Sequence, residues 1–225
     1  MIKPILFGLI FVTNTAISEP ESDAKHTQSG HSEFKKQVLS NIVEDVRGKH
    51  NFEFKINQNL NPYIFILHGD KNENFINKIE VYSKGDKLPL QIIKIIITAS
   101  PYKNSKYFEA IDMNFDGYKD IRMLDWWGAT GNKGYKVWLY NPTDKKFVYN
   151  KPLSELSCPS FNNKNKTIEE HSNGGHMGQI YTSRKLKFQG KKLICFESEK
   201  QDFVREKNHF IKTKSKLILD PQRTQ

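Results

Sequence analysis

The chain is poor in features that would assign it to a common class of enzyme. Its 225 residues include two cysteines, Cys158 and Cys195, so the close Cys-x-x-Cys pairs of zinc sites and thiol oxidoreductases are excluded. It also has no His-Glu-x-x-His, no Gly-x-Ser-x-Gly and no glycine-rich phosphate loop. We therefore expect a protein that is not an enzyme and that acts by binding a partner.

Apolar runs long enough to cross a bilayer are also missing. The longest candidate opens the chain as MIKPILFGLIFVTNTAIS, residues 1–18, where a lysine precedes a short apolar run and Ala16 and Ser18 form a cleavage pattern. This arrangement predicts a signal peptide rather than a spanning helix. We expect a mature protein without a transmembrane segment, exported to the periplasm, with secretion as the alternative.

Acidic residues are outnumbered by basic ones, 25 against 35, which gives a formal charge of +10. The charge falls to +9 when Lys3 leaves with the signal peptide, because residues 1–18 hold no other charged side chain. Outside the cytoplasm this balance favours anionic envelope polymers or acidic proteins over nucleic acid. The lysines are scattered through turns such as KGDK and TDKK, which is also typical of a solvated surface.

The two thiols have no third competitor in the sequence. Because an oxidising compartment favours paired cysteines, we predict a disulfide between Cys158 and Cys195.

The remaining pattern predicts three segments. Residues 19–32 have no apolar periodicity and predict a disordered leader. The following stretch, SEFKKQVLSNIVEDVRGK, residues 32–49, with Ser32 as N-cap, has the helical spacing of an amphipathic helix. Its apolar residues are Phe34, Val38, Ile42, Val43 and Val46. Residues 33–220 are expected to form a single β-rich domain.

Beyond that helix the apolar period changes to two. Strand candidates are FEFKI, YIFILHG, KIEVYS, LPLQIIKII, YKVWLYN, KKFVYN, IYTSRKLKF and KLICFESE. Turns with Gly, Asp or Asn separate most of them, and Gly174 and Gly175 predict a further hairpin turn. This predicts an all-β antiparallel fold, either a sandwich or a propeller-like array of hairpins.

The stretch DMNFDGYKD, residues 112–120, has the order of oxygens that a hard cation prefers. Side chains at positions 1, 3, 5 and 9, a glycine at 6 and a carbonyl at 7 would supply the ligands. These residues are Asp112, Asn114, Asp116, Gly117, Tyr118 and Asp120. Met123 stands where an EF-hand has its glutamate, so we predict a Ca²⁺ loop between two strands. The alternative is a solvated Asp-Gly hairpin held by Asx-turns.

A second glycine-rich stretch, DWWGATGNKGYKVWLYNP, follows directly. Glycines at 128, 131 and 134 predict a protruding loop bordered by Trp126, Trp127 and Tyr135. Aromatics beside such a loop suit binding because they bring large contact area at little conformational cost. The same residues could equally belong to the core.

The order DMNFDGYKDIRML, GNKGYKVWLYNPTDKKFVYNKPLSELSCPSF and GGHMGQIYTSRKLKFQGKKL, roughly residues 111–193, resembles a family of calcium-binding, propeller-like periplasmic proteins. Members act as immunity proteins against peptidoglycan-hydrolase toxins delivered by type IV secretion systems. The resemblance implies a lysozyme-like hydrolase as partner and Ca²⁺ as cofactor.

The resemblance also implies a target-binding loop that carries a tyrosine into the cleft of the enzyme. Tyr135 best matches that position, with Trp127, Asn132, Lys133 and Gly134 completing the loop. This chain departs from the family in lacking the cysteine of a lipoprotein anchor and in placing Lys133 near the tyrosine. The alternative function is a calcium-stabilised envelope module that binds glycan or another envelope component.

Overall fold

The computed structural model describes residues 48–69, 75–98 and 107–216, which all lie in the compact unit Asn41–Gln225. The predicted signal peptide and leader, and most of the predicted helix, lie outside these residues. The last two residues of the predicted helix, Gly48 and Lys49, are not helical. They begin the first strand.

The first sheet contains four antiparallel strands in chain order. They are β1 Gly48–Phe54, β2 Tyr63–Gly69, β3 Phe75–Ser83 and β4 Gln91–Thr98. Strand β2 alternates buried Tyr63, Phe65 and Leu67 with partly exposed neighbours, as expected of a strand with one covered face.

The second sheet is again a run of four consecutive antiparallel strands. They are β5 Phe108–Ile111, β6 Asp120–Trp127, β7 Lys133–Asn141 and β8 Lys146–Tyr149. A short helix α1, Lys151–Ser154, follows β8; the Asn150 side chain caps it by accepting the N–H of Leu153 at 2.9 Å.

The third sheet has five antiparallel strands, also adjacent in chain order. They are β9 Ser160–Asn162, β10 Thr167–Asn173, β11 Tyr181–Gln189, β12 Lys192–Val204 and β13 His209–Lys216. The all-β, antiparallel prediction is confirmed, and the architecture is a series of three hairpin-built sheets.

Two apolar clusters hold these sheets together. The first lies between the first and second sheets and includes Phe65, Ile79 and Ile121; the second lies between the second and third sheets and includes Ile168 and Leu186. Complete burial of side chains of this size stabilises by about 1.5–3 kcal/mol each. The clusters therefore fix the second sheet between its two neighbours.

Strand β7 faces both clusters. Trp138 and Tyr140 are buried in the first cluster, and Val137 is buried in the second. Successive strand residues point to opposite faces, so the unbroken apolar run Val-Trp-Leu-Tyr is what a central layer requires.

Polar contacts also join the first and second sheets. The Gln91 amide donates to the carbonyl of Phe147 and accepts that residue's N–H, both at 2.8 Å, so a side chain of β4 completes the edge of β8. The hydroxyls of Tyr63 and Tyr140 are hydrogen-bonded at 2.9 Å inside the core.

Candidate functional site

The predicted cation loop connects β5 to β6. Its side chains turn inward onto the loop backbone: Asp112 accepts the N–H groups of Asp116 at 3.2 Å and Gly117 at 3.0 Å. Asp116 accepts the N–H of Tyr118 at 2.9 Å. Gly117 has φ +90°, a left-handed conformation that glycine adopts without steric cost. The loop is therefore held by hydrogen bonds from its backbone N–H groups to its own side-chain oxygens.

Asp120 anchors this loop to the second sheet. Its side chain is fully buried, and its two carboxylate oxygens accept the N–H of Met113 at 2.7 Å and of Tyr140 at 2.8 Å. Burial raises the pKa of Asp120 to about 7; the two N–H groups lower it, and Asp116 and Asp112 raise it further. The carboxyls of Asp112 and Asp116 thus lie close enough to Asp120 to disfavour its ionised form.

The donor chemistry of the loop fits Ca²⁺. Carboxylate and amide oxygens of Asp112, Asn114 and Asp116 lie close enough to share hydrogen bonds, including one of 2.8 Å from the Asn114 amide to Asp116. A hard cation would replace these donors and relieve the repulsion among the carboxylates. Within the described ranges no group of three or more His, Cys, Asp and Glu side chains has the arrangement of a metal site, so calcium binding stays a prediction.

The loop is also fixed to the first sheet. Asn57 donates from its amide to the carbonyl of Gly117 at 3.0 Å, and the N–H of Lys119 binds the carbonyl of Ile56 at 2.8 Å. These two bonds attach the loop to the turn after β1.

The glycine-rich stretch forms a hairpin between β6 and β7, with the loop Gly128–Asn132. The N–H of Gly128 binds the carbonyl of Asn132 at 2.8 Å, which closes the turn. Trp126 and Trp127, at the end of β6, are 48% and 38% exposed. We call Trp126, Trp127, the loop and Lys133 the tryptophan hairpin.

The two indoles contact different residues of β7. Trp126 covers Gly134, where a Cβ would come within 2.0 Å of the indole nitrogen. The Lys133 ammonium lies 4.0 Å from the centre of the Trp127 ring, a cation–π contact. Gly134 therefore supports Trp126, and Lys133 and Trp127 form a joint surface.

Asn132, predicted as part of the target-binding loop, is hydrogen-bonded to the third sheet. Its amide donates to the carbonyl of Asn173 and accepts that residue's N–H, both at 2.8 Å. Both polar atoms of the side chain are thus bonded to the end of β10. Asn132 attaches the tryptophan hairpin to the third sheet.

Tyr135 lies inside β7, opposite Leu124, and not in the loop. Its ring is half-buried beneath the Arg122 guanidinium at 4.2 Å, and Arg122 is paired with Glu109 at 2.7 Å. Burial raises the pKa of Tyr135, although the Arg122 charge opposes the shift. The sequence placed Tyr135 at the end of the loop. In the structure, pairing between β6 and β7 extends to Trp127 and Lys133, so Tyr135 lies two residues inside β7.

The predicted disulfide is not formed: Cys158 and Cys195 are both free thiols. The sulfur of Cys158 accepts the N–H of Lys133 at 3.1 Å, beside the tryptophan hairpin. Cys195 lies on β12 beside the second apolar cluster, and its thiol donates to the carbonyl of Glu197 at 3.4 Å. Each sulfur therefore has its own local partner.

The hairpin turn predicted at Gly174 and Gly175 is the loop between β10 and β11, residues 174–180, but no functional role was predicted for it. Met177 at its tip is fully exposed, and the ring of His176 packs on Phe203 at 5.0 Å. The density of glycines in GGHMG was the available signal, but it predicted only a turn.

Neither a protein-family model nor a curated protein matches this sequence. Among solved structures, the fold matches that of a Xanthomonas type IV secretion system related protein, with a TM-score of 0.51 and 18% sequence identity. The match covers 76% of this chain and 96% of that chain. At this identity the likeness shows a shared fold. Among the described residues, no helix has the length and hydropathy of a membrane span.

Proposed function

We propose that this chain is an exported, calcium-stabilised inhibitor of a lysozyme-like peptidoglycan hydrolase, and that it serves as an immunity protein. It performs no catalysis of its own. The observation that carries the proposal is the tryptophan hairpin, which presents two exposed indoles and a lysine on a rigid support. The fold shared with a protein related to type IV secretion supports the biological setting.

The tryptophan hairpin has the chemistry that such a cleft would accept. Lysozyme-like enzymes carry carboxylic acids in a sugar-binding groove. The Trp127 ring can fill an apolar sugar subsite, and the adjacent Lys133 ammonium can pair with a carboxylate. Strand pairing and the two hydrogen bonds between Asn132 and Asn173, which we call the Asn132 clamp, hold the loop in place. Little conformational entropy is therefore lost when the loop enters the cleft of the enzyme.

Tyr135, which the resemblance assigned to the cleft, supports the proposed surface from within β7. Its contact with Arg122 and its position between both apolar clusters fix the strand that carries Lys133. The leading contacts in this proposal are thus Trp127 and Lys133.

The calcium proposal assigns the ion to the side-chain oxygens of Asp112, Asn114, Asp116 and Asp120 and to the carbonyl of Tyr118. When bound, the ion would supply positive charge that offsets the clustered carboxylates. The chain itself supplies the ordered loop and, through Asp120, its attachment to β7. The ion therefore has a structural role in the inhibitor.

A second candidate, a module that binds glycan, is favoured by the same exposed indoles, since sugars also stack on tryptophan. The two functions predict different outcomes in a binding assay. An inhibitor blocks a hydrolase in solution, whereas a glycan-binding module sediments with purified peptidoglycan when no hydrolase is present.

The test measures inhibition constants on purified peptidoglycan for a panel of lysozyme-like hydrolases, including any encoded beside this gene. Trp127→Ala should weaken inhibition by about 30-fold or more, as an interface anchor worth about 2–4 kcal/mol does. Tyr149→Ala removes a similarly exposed aromatic from β8, 50% exposed, and should leave inhibition unchanged.

Tyr135→Ala and Tyr135→Phe complete the series. The alanine variant should lower both the melting temperature and inhibition, because a half-buried ring is lost. The phenylalanine variant should keep both. Equal inhibition by wild type and Trp127→Ala would refute the proposed contact, and sedimentation without inhibition would favour the glycan-binding module.

A further inference from the structure

The tryptophan hairpin and the β10–β11 loop are physically joined. The two hydrogen bonds of 2.8 Å between the Asn132 side chain and the backbone of Asn173 attach the first loop to the residue that precedes the second. These loops come from different sheets and are separated by some forty residues of sequence. The joint makes them neighbours at one end of the second and third sheets.

The β10–β11 loop is held firmly although its tip is exposed. The N–H of Gly174 binds the carbonyl of Ile180 at 2.6 Å, and the Gln201 amide binds the carbonyl of Gln179 at 2.8 Å. His176 also packs against Phe203 and Phe210, with ring centres 5.0 and 5.7 Å apart. The full exposure of Met177 is therefore imposed by an ordered loop.

The backbone at the tip is in an uncommon conformation. His176, Met177 and Gly178 have φ of 52°, 54° and 87°, and left-handed geometry is uncommon for residues other than glycine. This conformation directs the His176 ring onto Phe203 while Met177 points to solvent. A flexible, polarizable methionine is a favourable contact for an irregular partner surface.

Both loop segments lack acidic side chains. Residues 126–134, WWGATGNKG, and 174–181, GGHMGQIY, contain no Asp or Glu, although the chain has 25 such residues. Asp125, which borders the first segment, is neutralised by Lys136 at 3.0 Å. Two loop segments without carboxylates, the first of which carries the Lys133 ammonium, complement a groove that carries carboxylates.

The geometry points to a single recognition surface made of both loops, with Met177 as a second anchor beside the tryptophan hairpin in the cleft of the target hydrolase. This inference rests on the proposed function. Two linked projections match a groove with several sugar subsites better than one hairpin does. Their attachment through Asn132 means that both enter together.

The test compares Met177→Glu with Met177→Lys, two substitutions at one exposed position. The glutamate places a carboxylate in a loop segment that has none and should weaken inhibition by about tenfold or more, which is about 1.4 kcal/mol. The lysine should retain inhibition within a few-fold. Melting temperatures should be equal, because the replaced side chain has no packing to lose.

Leu88→Glu and Leu88→Lys are matched controls, since Leu88 is 78% exposed in the connection between β3 and β4. Neither should alter inhibition. If wild type inhibits and Met177→Glu inhibits equally, the two-loop surface is refuted and recognition is confined to the tryptophan hairpin. If wild type inhibits no hydrolase, the proposed function fails and this inference fails with it.

Discussion

Replacement of Asp120 by alanine should destabilise the protein more than most single substitutions would. The change leaves the buried N–H groups of Met113 and Tyr140 without their acceptor. An unsatisfied buried donor costs about 1–3 kcal/mol, so the free energy of unfolding should fall by about 2–6 kcal/mol. Asp120→Asn keeps one acceptor oxygen and should lose about half as much.

The same residue predicts a dependence on pH in the absence of calcium. Because the pKa of Asp120 in the folded protein is raised from 3.8 to about 7, the native state keeps a proton that the unfolded chain releases. Stability should therefore be greatest near pH 4 and fall as the pH rises towards 7. A pKa difference of this size corresponds to about 4 kcal/mol. The decline should be absent in Asp120→Asn.

The assay is urea unfolding in EDTA between pH 4 and pH 8, repeated with calcium. Calcium would favour the ionised carboxylate and so should flatten the decline. Asp86→Ala, which alters an exposed aspartate in the turn after β3, is the control. Equal urea midpoints for Asp120→Ala and Asp86→Ala at every pH would show that the buried hydrogen bonds have no such importance.

Three further predictions follow from the loop, the hairpin and the thiols. EDTA should lower the melting temperature of wild type and have little effect on Asp112→Ala; equal midpoints with and without the ion in wild type would contradict calcium binding. Gly134→Ala should displace the Trp126 indole, because the added Cβ would overlap it at 2.0 Å, and the change should be visible as altered tryptophan fluorescence. Cys158 and Cys195 should both titrate as thiols in denatured protein, and an intact mass lower by two hydrogens would contradict the structure.

Part of the fold could be predicted because single strands carried their own signal. Strand β2 has the same bounds as the predicted strand YIFILHG. Its buried and partly exposed residues alternate with the period of two by which the sequence predicted a strand. Strands β10 and β13 had no such signal. Glu199 on β12 pairs with Lys212 and Lys214 of β13 at 3.0 and 2.9 Å, so charged partners replace the apolar face that pattern reasoning requires.

The candidate site could also be predicted only in part, where its residues are close together in sequence. The order of oxygens in residues 112–120 is local, and the structure shows their side chains bonded to the loop backbone, as in the Asx-turn alternative, while calcium binding stays a prediction. The clamp between Asn132 and Asn173 is not local, because it depends on the meeting of two sheets. The same limit applies to Tyr135, whose environment is set by Arg122 of the adjacent strand.

The topology of consecutive strands has a consequence for how the chain folds. Each sheet is completed by one continuous segment, so the sheets can form in order as the chain emerges, with mostly short loops to close. The second sheet would then appear with one side of β7 only partly covered, because the cluster around Val137 also needs Leu153 of α1 and Ile168 and Leu186 of the third sheet. Asn132 finds Asn173 only when β10 has formed. The tryptophan hairpin thus reaches its final position only after the second sheet is complete, and a chain that ends before β10 would present the indoles without the hydrogen bonds that attach them to the third sheet.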